Sequence, residues 1–250
     1  GVGDDDALRG VDHALAARVV AGPGDQRADG LHGLLARRAD HRFKVAVVGK
    51  SSLVDLTGRL RRRPSREQAL EAVRTLIAYA GDDPDRPGVV DTPERVLDAY
   101  AEWFEGYDVD PAEVLARTFQ GRTGYDHLVM LRDIEVESHC EHHMAPFLGK
   151  AYVAYVPTNR VVGISKLARV VEIFARRFQN QETLTLQIAE AIQGALNPAG
   201  VGVLIDAEHQ CMTTRGLRHK HVSTITTQFT GVFKTDKALQ ERFLRFTQRG

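Results

Sequence analysis

Ser165-Lys-Leu-Ala-Arg-Val-Val-Glu-Ile-Phe-Ala-Arg-Arg-Phe178 and Glu182-Thr-Leu-Thr-Leu-Gln-Ile-Ala-Glu-Ala-Ile-Gln-Gly-Ala-Leu196 stand almost back to back in the chain. In the first, Leu167, Val170, Val171 and Phe174 recur at helical spacing. In the second, Leu184, Ile188 and Ile192 do so until Asn197-Pro198 stops the pattern. Two consecutive amphipathic helices are predicted. On either side the apolar period falls to two: His127 to Glu137 alternates Ile134 and Val136 with Asp133, Glu135 and Glu137, and Ala151 to Val156 is a β-rich run ended by Pro157-Thr-Asn159. Val201 to Ala207 and Val222 to Phe229 read as two more strands, before a last helix from about Asp236. Two strand pairs around two helices predict an α+β domain, an antiparallel four-stranded sheet with helices on one face.

Upstream of the sheet the start signals are regular. Ser65 with Gln68 forms a capping box before Ala69, Leu70, Val73, Leu76, Ile77 and Ala80, a helical pattern ended by Gly81. Asp91-Thr-Pro-Glu94 is expected to cap a second helix carrying Val96, Leu97, Tyr100 and Phe104, and Asp110-Pro111 opens a short third. Before Pro64 the composition changes: residues 1–63 hold twelve Lys plus Arg, eight Asp and no Glu, whereas all fourteen Glu lie beyond. With so weak an apolar pattern, 1–63 is expected to be a poorly ordered extension with at most short helices. Residues 64–250 are then the main domain, divided into a helical part, 64–120, and a sheet core, 121–250. Val45-Ala-Val-Val-Gly-Lys-Ser-Ser52 imitates a strand entering a phosphate-binding loop, but Lys44 stands where that loop needs its first Gly.

The 250 residues are 43% hydrophobic and 26% charged, which excludes disorder throughout and collagen-like repetition. Equal numbers of basic and acidic side chains, 33 of each, leave no global basic field for nucleic acid. No stretch approaches the ~18 to 20 apolar residues of a membrane span, and the start lacks a signal-peptide pattern. The chain therefore reads as cytoplasmic, with neither nucleic acid nor membrane as partner. Its two cysteines, Cys140 and Cys211, are too few for a disulfide framework and read as thiols or metal ligands.

Chemistry concentrates in Ser138-His-Cys-Glu-His-His-Met-Ala-Pro-Phe147. Cys140 and His143 have a spacing suited to tetrahedral zinc, although a Cys-x-x-His alone is more often a polar cluster with a buried thiol. The second cysteine lies in His209-Gln-Cys-Met-Thr-Thr-Arg215, at the end of a predicted strand that can lie beside the first site. Cys140, His143 and Cys211, with water in a fourth position, describe a catalytic zinc. On residues alone this indicates zinc-assisted hydrolysis.

Cys140-Glu-His-His143, Val162-Gly-Ile-Ser-Lys-Leu-Ala-Arg169, Gln179-Asn-Gln-Glu182 and His209-Gln-Cys-Met-Thr-Thr-Arg-Gly216 together resemble the GTP cyclohydrolase I family, in order over about residues 65 to 250. The resemblance implies a tunnelling fold, in which subunits join side by side into a barrel, usually as a ring-shaped homodecamer with active sites at subunit interfaces. It implies hydrolysis of the GTP imidazole ring at C8, formate release, ribose rearrangement and closure to 7,8-dihydroneopterin triphosphate, the opening step of pteridine and folate biosynthesis. Carried over residue by residue, Cys140, His143 and Cys211 are the ligands of one zinc per chain, and His142 is the proton-transfer histidine. His209 resembles a second histidine near the metal, though a strand-end histidine bonded to a carbonyl looks the same in sequence. C8 is a poor electrophile until N7 is protonated, so a proton donor near neutral pH suits the reaction.

The resemblance also places Glu182 on guanine, whose N1–H and exocyclic amine form a donor pair that a carboxylate accepts and adenine lacks. A first-turn acid favoured by the helix dipole is the plainer reading of Glu182, and both can hold. Gln181 and Glu141 fall beside it as substrate-binding candidates. For the triphosphate the resemblance points to Lys166, Arg169 and Arg215, with Ser165 on the ribose side and Arg95 from elsewhere in the chain; basic residues on a helix are otherwise usually a solvated face. Phe178 stands where many members have Pro, Thr183 also departs, and Met144-Ala145 replaces bulkier residues. The alternatives are a relative acting on another pterin and a catalytically silent zinc-stabilised oligomer. The His-x-Glu and Pro-Cys-x-x-Cys strings of cytidine-type deaminases do not occur.

Overall fold

A computed structural model describes residues 52–54, 60–120, 127–215, 218–219 and 221–248. The chain divides into two units, 1–63 and 64–250. The expectation of poor order falls almost wholly outside the described residues; those of the first unit include a short antiparallel pair, β1 (Ser52–Val54) and β2 (Leu60–Arg62).

The second unit opens with α1 (Arg66–Tyr79). Its capping box is complete: the Ser65 hydroxyl accepts from Gln68 N–H at 3.2 Å and Ser65 N–H donates to Gln68 Oε1 at 2.9 Å. α2 (Thr92–Trp103) carries Pro93 in its first turn, but Asp91 does not cap it, contrary to expectation. Asp91 has helical dihedrals, so its carboxylate turns to Arg95 at 3.3 Å and away from the free amides. A 3-10 turn, Glu105–Asp108, leads to α3 (Pro111–Leu115), where Asp110 caps the Ala112 amide at 2.8 Å.

β3 (Thr118–Gln120) pairs with β6 (Arg160–Val162) in a separate ribbon. The main sheet runs β7 (Phe178–Gln179), β4 (Val129–Cys140), β5 (Pro146–Val156), β8 (Gly200–His209) and β9 (Thr224–Phe229). Four strands are antiparallel as expected; two-residue β7 adds a parallel fifth beside His139 and Cys140. α4 (Ile164–Ala175) and α5 (Gln181–Leu196) lie on one face, where Leu167, Val170, Phe174, Leu184, Ile188 and Ile192 pack against Ala151, Val153, Val203 and Ile205. Asn197 in the left-handed region closes α5.

Alternation sends Tyr152, Ala154 and Leu204 to the other face. Phe233 and Phe243 cover them there, from α7 (Val232–Thr235) and α8 (Lys237–Thr247). Between β8 and β9 lies one turn of helix, α6 (Gln210–Thr213). Helices thus cover part of the second face as well as the first.

Candidate functional site

Strand register builds the site at one end of the sheet. Ser138 pairs with Phe147 across β4 and β5, and Phe147 pairs with His209 across β5 and β8. The Phe147 and His209 rings stack at 4.6 Å and 11°. β4 therefore delivers Cys140, and the β8–α6 junction delivers His209 and Cys211, to the same place. Between β4 and β5 the chain turns tightly: Cys140 N–H donates to Ala145 O at 2.8 Å, Met144 N–H to Cys140 O at 2.8 Å, and Met144 takes φ 55°. On the other flank Glu141 N–H donates to Gln179 O at 2.9 Å, tying the turn to β7.

One ligand atom each from Cys140, His209 and Cys211 lies within 4.8 Å of the other two. His142 Nδ1 and His143 Nδ1 stand 3.7 Å and 3.8 Å from Cys140 Sγ. The structure thus brings both cysteines together and sets two imidazoles, His142 and His143, against Cys140, with His209 in the close trio. Two sulfurs and an imidazole are a donor set suited to zinc. Burial pushes the Cys211 thiol up and the facing Cys140 thiol adds to the rise, while Arg215 opposes it. A dication at that point reverses the preference, since a coordinating thiol is deprotonated.

Glu182 is exposed on the first turn of α5 and close enough to His209 to favour its charged form, although burial outweighs it and lowers that histidine. Glu141 accepts from Asn180 Nδ2 at 2.7 Å and has His142 at 3.9 Å. Gln181, expected to bind substrate, is 1% exposed, and its amide is bonded to Ile205 O, Thr224 O, Thr226 Oγ1 and His209. Sequence reading also missed Asn180, whose other amide atom caps Thr183 N–H at 2.7 Å. An Asn before Gln-Glu at a helix start is the signal for such a cap.

Of the remaining predicted residues, Arg215 stands with the cysteines and the others lie elsewhere. Ser165 and Lys166 occupy the first turn of α4 and Arg169 its middle, the helix being reached through β6 from the end of β5. α4 is about 18 Å long at roughly 1.5 Å per residue and its last turn leads into β7, which pairs with His139 and Cys140, so Ser165 and Lys166 stand at the helix end away from the cysteines. Arg95 sits on α2, paired with Asp91. Arg215 is on the cysteine side.

The family model described as GTP cyclohydrolase I matches residues 69–248. The chain belongs to the GTP cyclohydrolase I family. Among curated relatives, "GTP cyclohydrolase 1" of Hyphomonas neptunium is 68% identical over 183 residues, 73% of this chain and 89% of the relative. That of Maricaulis maris is 62% identical over 75% and 91%, and that of Allorhizobium ampelinum 55% over 74% and 92%. The GTP cyclohydrolase I match begins beyond the unit boundary at Pro64, and the mixed α+β sheet with its covering helices is the tunnelling fold of that family. No helix among the described residues is long and apolar enough to cross a membrane.

Proposed function

We propose that this chain opens the imidazole ring of GTP at C8, releases formate and closes the product to 7,8-dihydroneopterin triphosphate. Family membership makes it a hydrolase. The observation that carries the residue assignment is the convergence of both cysteines at the β4 and β8 ends, with His143 and His209 beside them, within a match of 55–68% identity to proteins named for this activity.

Cys140, Cys211 and His143 hold one zinc per chain in this reading. Two donors on one tetrahedral zinc lie about 3.5 Å apart, given metal–sulfur and metal–nitrogen lengths of roughly 2.3 and 2.0 Å. The 3.8 Å between Cys140 Sγ and His143 Nδ1 is near that value. When bound, zinc supplies Lewis acidity and a water of lowered pKa. His142, exposed beside Glu141, donates a proton to N7 of the purine, making C8 electrophilic. His209, held against Phe147, exchanges protons during ring opening and reclosure. Glu182 accepts from N1–H and the exocyclic amine of guanine, and Glu141, held by Asn180, borders that pocket.

Ser165, Lys166 and Arg169 take up the ribose and triphosphate, with Arg215 and Arg95. With Ser165 and Lys166 at the end of α4 away from the cysteines, a single chain presents two half-sites in this reading. A complete site joins the cysteine end of one copy to the α4 start of another. This supports a homo-oligomer with shared sites, a decamer in the family's usual form, with 64–250 as the catalytic domain and the extension outside it. Two free thiols at the site suit the reducing cytoplasm. A silent zinc oligomer and a relative on another pterin are not favoured, because the phosphate residues are present.

The test is turnover of GTP by the zinc-loaded protein, read as fluorescence of the oxidised pterin and as formate. Equimolar formate and pterin are expected. No product from GTP by a zinc-replete oligomer would remove this reading.

A further inference from the structure

We infer that Gln181 is a positioning residue: it fixes His209 with hydrogen on Nε2, leaving Nδ1 bare. The inference rests on the reading above, in which His209 takes part in turnover.

The hydrogen positions follow from which atoms can only accept. Gln181 Nε2 lies 2.7 Å from Thr224 O and 3.1 Å from Ile205 O. Both are carbonyl oxygens, so the atom facing them is the amide nitrogen and the side chain cannot be flipped. Thr226 Oγ1, 3.2 Å away, fits the same orientation. The Thr185 hydroxyl is 2.7 Å from both Gln181 O and Thr226 Oγ1. Its one hydrogen goes to the carbonyl, so Thr226 donates to Thr185 and keeps its oxygen free to accept from Gln181. Gln181 Oε1 is then an acceptor without choice, and it faces His209 Nε2 at 2.9 Å. Nε2 carries the hydrogen.

With Gln181 1% exposed, no bulk water competes for these bonds. Phe147 fixes the plane of the His209 ring, stacked at 4.6 Å, and Gln181 fixes its rotation within that plane. The opposite tautomer sets a lone pair against Oε1, and rotating the amide sets Oε1 against two carbonyls. Neutral His209 therefore presents a lone pair only at Nδ1. An imidazole's second nitrogen is commonly held in this way where the first does chemistry. Here the holder sits on α5, and the network that orients it spans β8 and β9.

Three variants and one map test this on the zinc-loaded oligomer. Gln181→Met keeps the bulk and removes the partner of Nε2–H: kcat is expected to fall roughly 10- to 100-fold, with KM for GTP and zinc content near wild type. Gln181→Glu keeps an acceptor for Nε2–H while losing a donor to the carbonyls, so it is expected to recover most of the rate despite a lowered Tm. His209→Ala provides the floor, below which neither should fall. Wild-type kcat in Gln181→Met, or equal losses of rate in the Met and Glu variants tracking their Tm, leaves Gln181 a packing residue and overturns the inference. Should Gln181→Met fail to fold, neutron crystallography of the wild type decides: deuterium on His209 Nε2 supports the inference, and a bare Nε2 overturns it. A wild type that turns over no GTP removes the proposed reaction, while the map still decides the tautomer.

Discussion

The Tyr107 hydroxyl accepts the backbone N–H of Phe178 at 3.1 Å. This bond joins the 3-10 turn after α2 to β7, the strand beside Cys140. It needs a residue with a backbone N–H at position 178, which a proline there would lack. Phe178 also packs on Phe104 at a 4.3 Å ring separation, and burial raises the Tyr107 phenol. Tyr107→Phe leaves a part-buried amide without its partner and is expected to cost about 1–2 kcal/mol. Phe178→Pro removes the donor and the ring together and is expected to cost more. A denaturant series on both variants checks the order, and a Tyr107→Phe protein as stable as wild type would show that water replaces the hydroxyl.

Gly106 in the same turn lies against α4. A Cβ there meets Ile173 O at 2.1 Å and Arg176 O at 2.7 Å, both backbone atoms that cannot swing aside. Gly106→Ala is expected to lower stability by about 1–3 kcal/mol through overpacking. The Arg177 bond to Gly106 O, 2.9 Å in the native chain, should loosen with it. An unchanged unfolding midpoint would mean that the turn moves freely off the helix.

Much of this architecture was legible because its signals are local. Ser65 with Gln68, Asp110 before Pro111, and Asn197-Pro198 each act within one turn of chain, and the structure places helix ends at all three. Asp91 misled because its identity suits a cap while its helical dihedrals do not. β7 has two residues, too few for any period. The cysteines could be expected to meet, but the Phe147–His209 register that brings His209 in with them is a property of paired strands, invisible along one. Gln181 illustrates the same limit: next to Glu182 at a helix start it reads as a substrate ligand, and only the β8 and β9 carbonyls above it reveal an inward side chain.

Glu182 is exposed at the α5 start, free to face a base. Glu182→Gln keeps the size and turns one acceptor into a donor facing a donor, a mismatch expected to cost on the order of 2–4 kcal/mol of GTP binding. Steady-state kinetics and direct binding check it. Unchanged KM and kcat would return Glu182 to the role of a first-turn acid favoured by the helix dipole.

The unit boundary at Arg63/Pro64 and the family match from residue 69 together predict that a chain beginning at Pro64 assembles, holds zinc and turns over GTP as the full chain does. Gel filtration and zinc analysis of the shortened chain test this. Loss of the oligomer would assign the first 63 residues a part in assembly.

The three histidines around Cys140 separate by metal content. His142 and His143 are neighbours whose rings lie 6.3 Å apart, so one can point at a metal while the other reaches the purine. His209 stands in the close trio but is already tied by Nε2 to Gln181. If His143 is the nitrogen ligand, His143→Ala is expected to lose zinc, and His142→Ala and His209→Ala to keep it. With zinc and the phosphate contacts retained, His142→Ala should still bind GTP yet lose roughly 10²- to 10⁴-fold in rate, the range for a missing general acid–base group. Zinc content, GTP affinity and turnover, measured side by side on the three variants, decide the assignment. A metal-free His209→Ala beside a metal-replete His143→Ala makes His209 the ligand, because the trio within 4.8 Å is then the metal site as it stands and His143 becomes free for proton transfer.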